Sequence, residues 1–91
     1  MAFLMTRINV GDYDTWKPMF DQDQPGARAA SKGWRLFRNV DVPGEVFIQV
    51  EFGSVEEAKE AREKLLASGV LDRFSDKSVP KVVEVAEEVN R

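Results

Sequence analysis

Apolar and polar residues alternate along Ala2–Val10. A period of two predicts a strand with Leu4, Ile8 and Val10 on one face and Phe3, Met5, Arg7 and Asn9 on the other. Gly11 ends it. The spacing then changes to threes and fours, with Tyr13, Trp16 and Phe20, and Met19 beside them, giving a helix with one aromatic face. Asp12 or Asp14 can cap this helix by accepting from an unpaired amide. Pro18 is uncomfortable beyond the first turn, which favours Asp14. Pro25-Gly26 interrupts the pattern, and a short helical resumption over Arg28–Lys32 is expected to end at Gly33 in the left-handed conformation.

The middle of the chain is a β-hairpin. Trp34–Val40 and Glu45–Phe52 are rich in aromatic and β-branched residues and flank the turn signal Asp41-Val42-Pro43-Gly44. A loop of Asp41–Gly44 sets Val40 opposite Glu45. That register puts Phe37, Val46, Ile48, Val50 and Phe52 on a core face, with Arg35 and Asn39 near its edge. Trp34, Leu36, Arg38, Phe47, Gln49 and Glu51 then share the other face. A bulge of one residue in the loop would exchange these assignments.

Ser54-Val55-Glu56-Glu57 fits a capping box, in which Ser54 and Glu57 satisfy each other's amides. The helix it starts runs to about Ser68, with Ala58, Ala61, Leu65 and Leu66 inward and Gly69 as its stop. Glu56–Glu63, with Lys59, Arg62 and Lys64, reads as its solvated face. Val70, Leu71 and Phe74 suggest one more apolar turn, Ser75–Pro80 a polar connector, and Lys81–Val89 a final strand. The order β-α-β-β-α-β over residues 1–91 predicts one ferredoxin-like α+β domain, a four-stranded antiparallel sheet with two helices on one face. Right-handed crossovers put both helices on the same side.

A chain of 91 residues buries only roughly 60–65% of its unfolded surface, so a partner would add stability. Phe3, Met5, Trp34, Leu36 and Phe47 are assigned to the uncovered sheet face. Burying such side chains contributes roughly 1.5–3 kcal/mol each. Self-association through that face, most simply as a two-fold homodimer, is expected. Hydrophobic residues make up 43% of the chain, ample for a core, and the net charge of −3 speaks against a nucleic-acid partner. The apolar opening Met1–Met5 is too short for a signal peptide or membrane span, so a cytoplasmic location is expected.

Cysteine and histidine are both absent. Disulfides, thiolate or imidazole metal ligation and the commonest general base go with them. Phosphate loops, metal-binding carboxylate pairs and Ser-His-Asp sets are missing too, and no cofactor or metal is expected. The candidate site is instead a small-molecule one. Arg7, Arg38, Gln49 and Glu51 form a polar floor, Arg38 to orient an anion or carbonyl and Glu51 to act as a base. Tyr13 is a candidate acid, with Trp16, Trp34 and Phe47 as aromatic walls. The plainer readings are a capped aromatic helix face for Tyr13 and Trp16, cross-strand ion pairs for the arginines and glutamate, and interface packing for Trp34.

The segment Val10-Gly11-Asp12-Tyr13-Asp14-Thr15-Trp16-Lys17-Pro18-Met19-Phe20-Asp21, followed by Gly33-Trp34-Arg35-Leu36-Phe37-Arg38 and the strand ending Val50-Glu51-Phe52, resembles small proteins of the dimeric α/β-barrel superfamily. The resemblance is strongest to the cyclase-like branch related to antibiotic-biosynthesis monooxygenases. It implies two ferredoxin-like subunits pairing their sheets into a barrel, with a small organic ligand between sheet and helices or inside the barrel. Members of that branch often carry a histidine on the first strand, near where Ile8 stands here. Histidine-dependent chemistry, haem degradation included, is therefore not expected. A homodimeric small-molecule-binding protein is the leading functional expectation, and a cofactor-independent monooxygenase or cyclase acting on an aromatic or polyketide-like substrate is the alternative.

Overall fold

The computed structural model describes residues 1–91. Its elements are β1 (Ala2–Asn9), α1 (Tyr13–Asp21), β2 (Gly33–Arg38), β3 (Glu45–Phe52), α2 (Val55–Ser68), a 3-10 turn (Val70–Arg73) and β4 (Lys81–Glu84). The four strands form one antiparallel sheet in the order β2-β3-β1-β4. This is the ferredoxin-like arrangement expected from the element order.

Alternation in β1 and β3 builds the core directly. Ala2, Leu4, Thr6 and Ile8 lie opposite Phe52, Val50, Ile48 and Val46, and all eight are buried beneath the helices. Val82 of β4 extends the same face beside Leu4. Phe3, Met5, Arg7, Phe47, Gln49 and Glu51 project from the other face, as their parity requires.

Strand β2 differs from expectation by one position. Trp34 lies opposite Val50, Leu36 opposite Ile48 and Phe37 opposite Phe47. The cause is Asn39. Its backbone amide donates to the Glu45 carbonyl (3.0 Å), its side-chain amide to the Glu45 carboxylate (2.7 Å), and its side-chain oxygen accepts from the Asp41 amide (2.9 Å). Glu45 is thus paired with Asn39 rather than Val40, and the loop gains a residue. Trp34, Leu36 and Arg38 therefore turn toward the helices, while Arg35 and Phe37 join the open face. Assigning Trp34 and Leu36 to the open face, and Phe37 to the core, is corrected accordingly. The hairpin tip docks on the end of β1, where Val10 donates to the Gly44 carbonyl (2.8 Å). A Cβ on Gly44 would lie 2.5 Å from the Gly11 carbonyl oxygen, so only glycine allows this approach.

Asp12, not Asp14, caps α1. Its carboxylate accepts from the Asp14 amide (3.1 Å) and the Thr15 hydroxyl (2.8 Å), and these bonds hold its carboxyl below the usual range. The helix starts early enough to carry Pro18 inside it. Residues 22–32 then form successive turns rather than a second helix, and Gly33, at φ +152°, opens β2 instead of ending a helix. Asp23 organises these turns from a left-handed conformation. Its carbonyl accepts from Gly26 (2.8 Å) and its carboxylate from the Arg28 amide (3.1 Å).

Ser54 caps α2 by accepting from the Glu57 amide (3.2 Å), and the Glu57 carboxylate accepts from the Ser54 hydroxyl in return. Gly69 stops the helix at φ +74°. Ala58 and Ala61 are buried, but Leu66 is 51% exposed and does not face inward as expected. The 3-10 turn carries Leu71 into the core. The connector runs alongside β1, with the Asn9 amide donating to the Asp76 carbonyl and the Ser78 amide to the Arg7 carbonyl. Strand β4 ends at Glu84 rather than Val89, because its partner there is Ala2 and β1 extends no further. No helix is long and apolar enough to cross a membrane.

Candidate functional site

The two helices sit at different distances from the sheet. Alanines on α2 let its backbone settle onto β1, β3 and β4. Helix α1 presents Tyr13, Trp16 and Phe20, and its backbone stays farther off. Tilted and edge-on ring contacts run through these side chains, with centroids 5.8 Å apart for Tyr13–Trp16, 5.1 Å for Trp16–Phe20 and 6.4 Å for Phe20–Trp34.

Between them lies a cavity of about 100 Å³. The sheet supplies its floor through Leu4, Thr6, Ile8, Ile48 and Val50, and α1 supplies Trp16, Met19 and Phe20. Leu65, Leu71 and Phe74 close the opposite wall. Thr6 is the polar residue of the buried set. Its hydroxyl-bearing side chain belongs to an otherwise apolar floor. The rim is charged, with Asp23 and Arg28 on the turns after α1 and Arg73 across from them.

Arg28 is the most constrained of these. Its guanidinium carbon lies 3.6 Å from the Phe20 ring centroid and 4.7 Å from that of Trp34. One terminal nitrogen donates to the Phe20 carbonyl, and Nε stands 3.6 Å from the Asp23 carboxylate. Burial pulls its pKa downward, against the upward pull of Asp23.

Four of the eight expected site residues lie on the helix side and four on the open side, so they do not form one pocket. Trp16 lines the cavity. Tyr13 packs outside it against Arg38, whose guanidinium stands 4.4 Å over the ring. Arg38 therefore does not belong to a floor shared with Glu51. Trp34, on the edge strand, reaches Phe20 and Arg28 on the helix side and also borders the open-side concavity beside Gln49 and Glu51. On the open side, Gln49 and Glu51 border a broad concavity of about 800 Å³ that also includes Phe3, Met5 and the segment after β4. Phe47 projects from the same face and is exposed.

Arg7 is engaged elsewhere. It donates to Glu45 (2.6 Å) and Asp76 (2.7 Å), tying β1 to β3 and to the connector before β4. Its partner is Glu45 rather than Glu51. Hydrogen bonds from Asn39 and then Arg7 hold the Glu45 carboxyl below the usual carboxylate range, Arg7 does the same to Asp76, and both raise the Arg7 pKa. No group of three metal-ligating side chains converges anywhere in the molecule.

Sequence reasoning missed Thr6 and Arg28. Thr6 was recoverable, since it continues the two-residue period between Leu4 and Ile8. Arg28 lies where no periodicity operates, and only the turns around Asp23 bring it over Phe20.

The same architecture occurs in solved structures. A protein from Deinococcus radiodurans, provisionally described as an antibiotic biosynthesis monooxygenase, superposes with a TM-score of 0.66 at 12% identity, covering 100% of this chain and 98% of that one. Rv0793 from Mycobacterium tuberculosis superposes with a TM-score of 0.67 at 13% identity, covering 98% of both chains. The fold is shared. No family model matches the chain, and no curated protein matches it by sequence.

Proposed function

We propose that residues 1–91 act as one domain of a homodimer that binds a small apolar organic molecule beneath α1. The observation that carries this reading is the cavity itself, walled by aromatic and aliphatic side chains, floored by one buried hydroxyl and rimmed by charge. Small-molecule sites have this composition, mostly apolar with a few polar groups to orient the ligand. An apolar cavity of roughly 150 Å³ accepts benzene, and this one, at about 100 Å³, must widen slightly to seat the same ring. Benzene binding, followed by Trp16 fluorescence or ligand-observed NMR, is expected for the unaltered chain and should be lost in Leu65→Phe, which fills the space. Absence of benzene binding by the folded protein rejects the reading.

Homodimerisation is supported by the open face, where Met5, Phe37, Phe47 and Val83 all remain exposed. Sedimentation should give a dimer, and Phe47→Glu should shift it to monomer because a carboxylate would be buried unpaired.

A second reading, an oxygenase or cyclase acting on an aromatic or polyketide-like substrate, is favoured by the description of the Deinococcus neighbour. The chain would then act without histidine or cysteine. A cavity of about 100 Å³ would have to open to admit a fused-ring substrate. Oxygen uptake on adding a polycyclic phenol separates catalysis from binding alone.

A further inference from the structure

We propose that the molecule taken up beneath α1 is a small apolar acid and that Arg28 receives its carboxylate; this rests on the binding reading above. The Arg28 side chain is only 9% exposed. The rings of Phe20 and Trp34 engage its guanidinium as π partners, and such stacking leaves in-plane hydrogen-bond donors available.

That donor edge is under-used. A guanidinium carries five N–H donors. Here one nitrogen donates to the Phe20 carbonyl, and Nε lies 3.6 Å from Asp23, too long for a hydrogen bond. One Asp23 oxygen accepts from the Arg28 backbone amide, which holds the turn together, and the other forms an ion pair with Nε, leaving the terminal nitrogens as the free donors. The remaining donors belong to a side chain that lines the cavity. A carboxylate suits them, because a planar fork pairs with two oxygens at once.

Arg28 and Arg73 put two guanidinium groups at the rim, with Asp23 and Asp21 acting on Arg28. The body of the ligand must be apolar, since away from the rim, where Asp23, Gln24, Arg28 and Arg73 stand, the lining is apolar except for Thr6. Its size is that of one ring or a short branched chain.

Phenylacetate and phenylacetamide have the same shape and differ in charge, so the pair isolates the carboxylate. Titrated into the full chain at neutral pH and low salt, phenylacetate is expected to bind roughly tenfold or more tightly than the amide. Added salt should weaken the acid and leave the amide unchanged. Arg28→Met should abolish the preference, and Arg28→Lys, which keeps the charge without the fork, should retain part of it. Equal or tighter amide binding by the unaltered chain overturns the assignment to an acid while leaving the cavity reading intact. A preference that survives Arg28→Met overturns Arg28 as the receiving group. Failure of benzene to bind the folded chain removes the cavity reading, and this inference with it.

Discussion

Helix α2 settles onto the sheet while α1 stands away from it, and the residues each presents account for the difference. Ala58 and Ala61 bring the α2 backbone close to β1 and β3. Trp16, Met19 and Phe20 hold α1 off at the length of a large side chain, Trp16 and Phe20 resting on the core and on each other. Small residues give close packing without voids; a few large ones on a short helix leave space between them. The α2 half of the helix layer is closely packed core, and the α1 half encloses the cavity.

The largest expected effect is a contrast in large-to-small substitutions. Phe52 is completely buried beneath the α2 side, and Phe52→Ala should cost about 3–5 kcal/mol. Trp16→Ala should cost less despite the larger side chain removed, because one side of the indole already borders the cavity. Urea denaturation of both variants checks this, and the reverse ranking would break the comparison.

Added volume should show the opposite asymmetry with a smaller amplitude. Ala58→Leu forces α2 off the sheet and should cost about 1–3 kcal/mol. Leu65→Phe, directed into the cavity, should cost less than that or nothing. Midpoints of thermal unfolding measured in parallel decide it.

The smallest effect concerns the far end of the open face. Glu45 and Asp76 titrate below their unfolded values because of Asn39 and Arg7. A depressed folded pKa means the native state binds fewer protons, so the stabilisation is present above the unfolded carboxylate value of about 4. It is lost as pH falls through the lower folded values. Arg7→Met should flatten this acid limb by lowering stability slightly above about pH 4, the loss being small because these groups are solvent-screened, and should leave stability at low pH unchanged. An unchanged acid limb would remove the Arg7 network from the account.

Legibility in the sequence followed the range of the interactions involved. Strands β1 and β3 were readable because each alternates with a single apolar face that must be buried. Helix α2 was readable from Ser54, Glu57 and Gly69, all of which act within one turn of themselves. Strand β2 was not, because Trp34 and Leu36 on one face and Phe37 on the other are all apolar. Either register satisfies that pattern, and Asn39 settled it through bonds to Glu45 and Asp41. The candidate site fared likewise. Trp16 was anticipated from its helix face, whereas Arg38 and Glu51 were brought to opposite sides of the sheet by the register.

By itself the sequence determined the element order, the core face of β1 and β3, and the caps and stops of α2, since these depend on periodicity and on contacts a few residues apart. Only the tertiary structure decided which face β2 presents, where β4 runs out of a partner, how far α1 stands from the sheet, and that Arg28 lies between Phe20 and Trp34. Those outcomes depend on groups distant along the chain and on the volume left between packed surfaces, and no local pattern of residues encodes a volume.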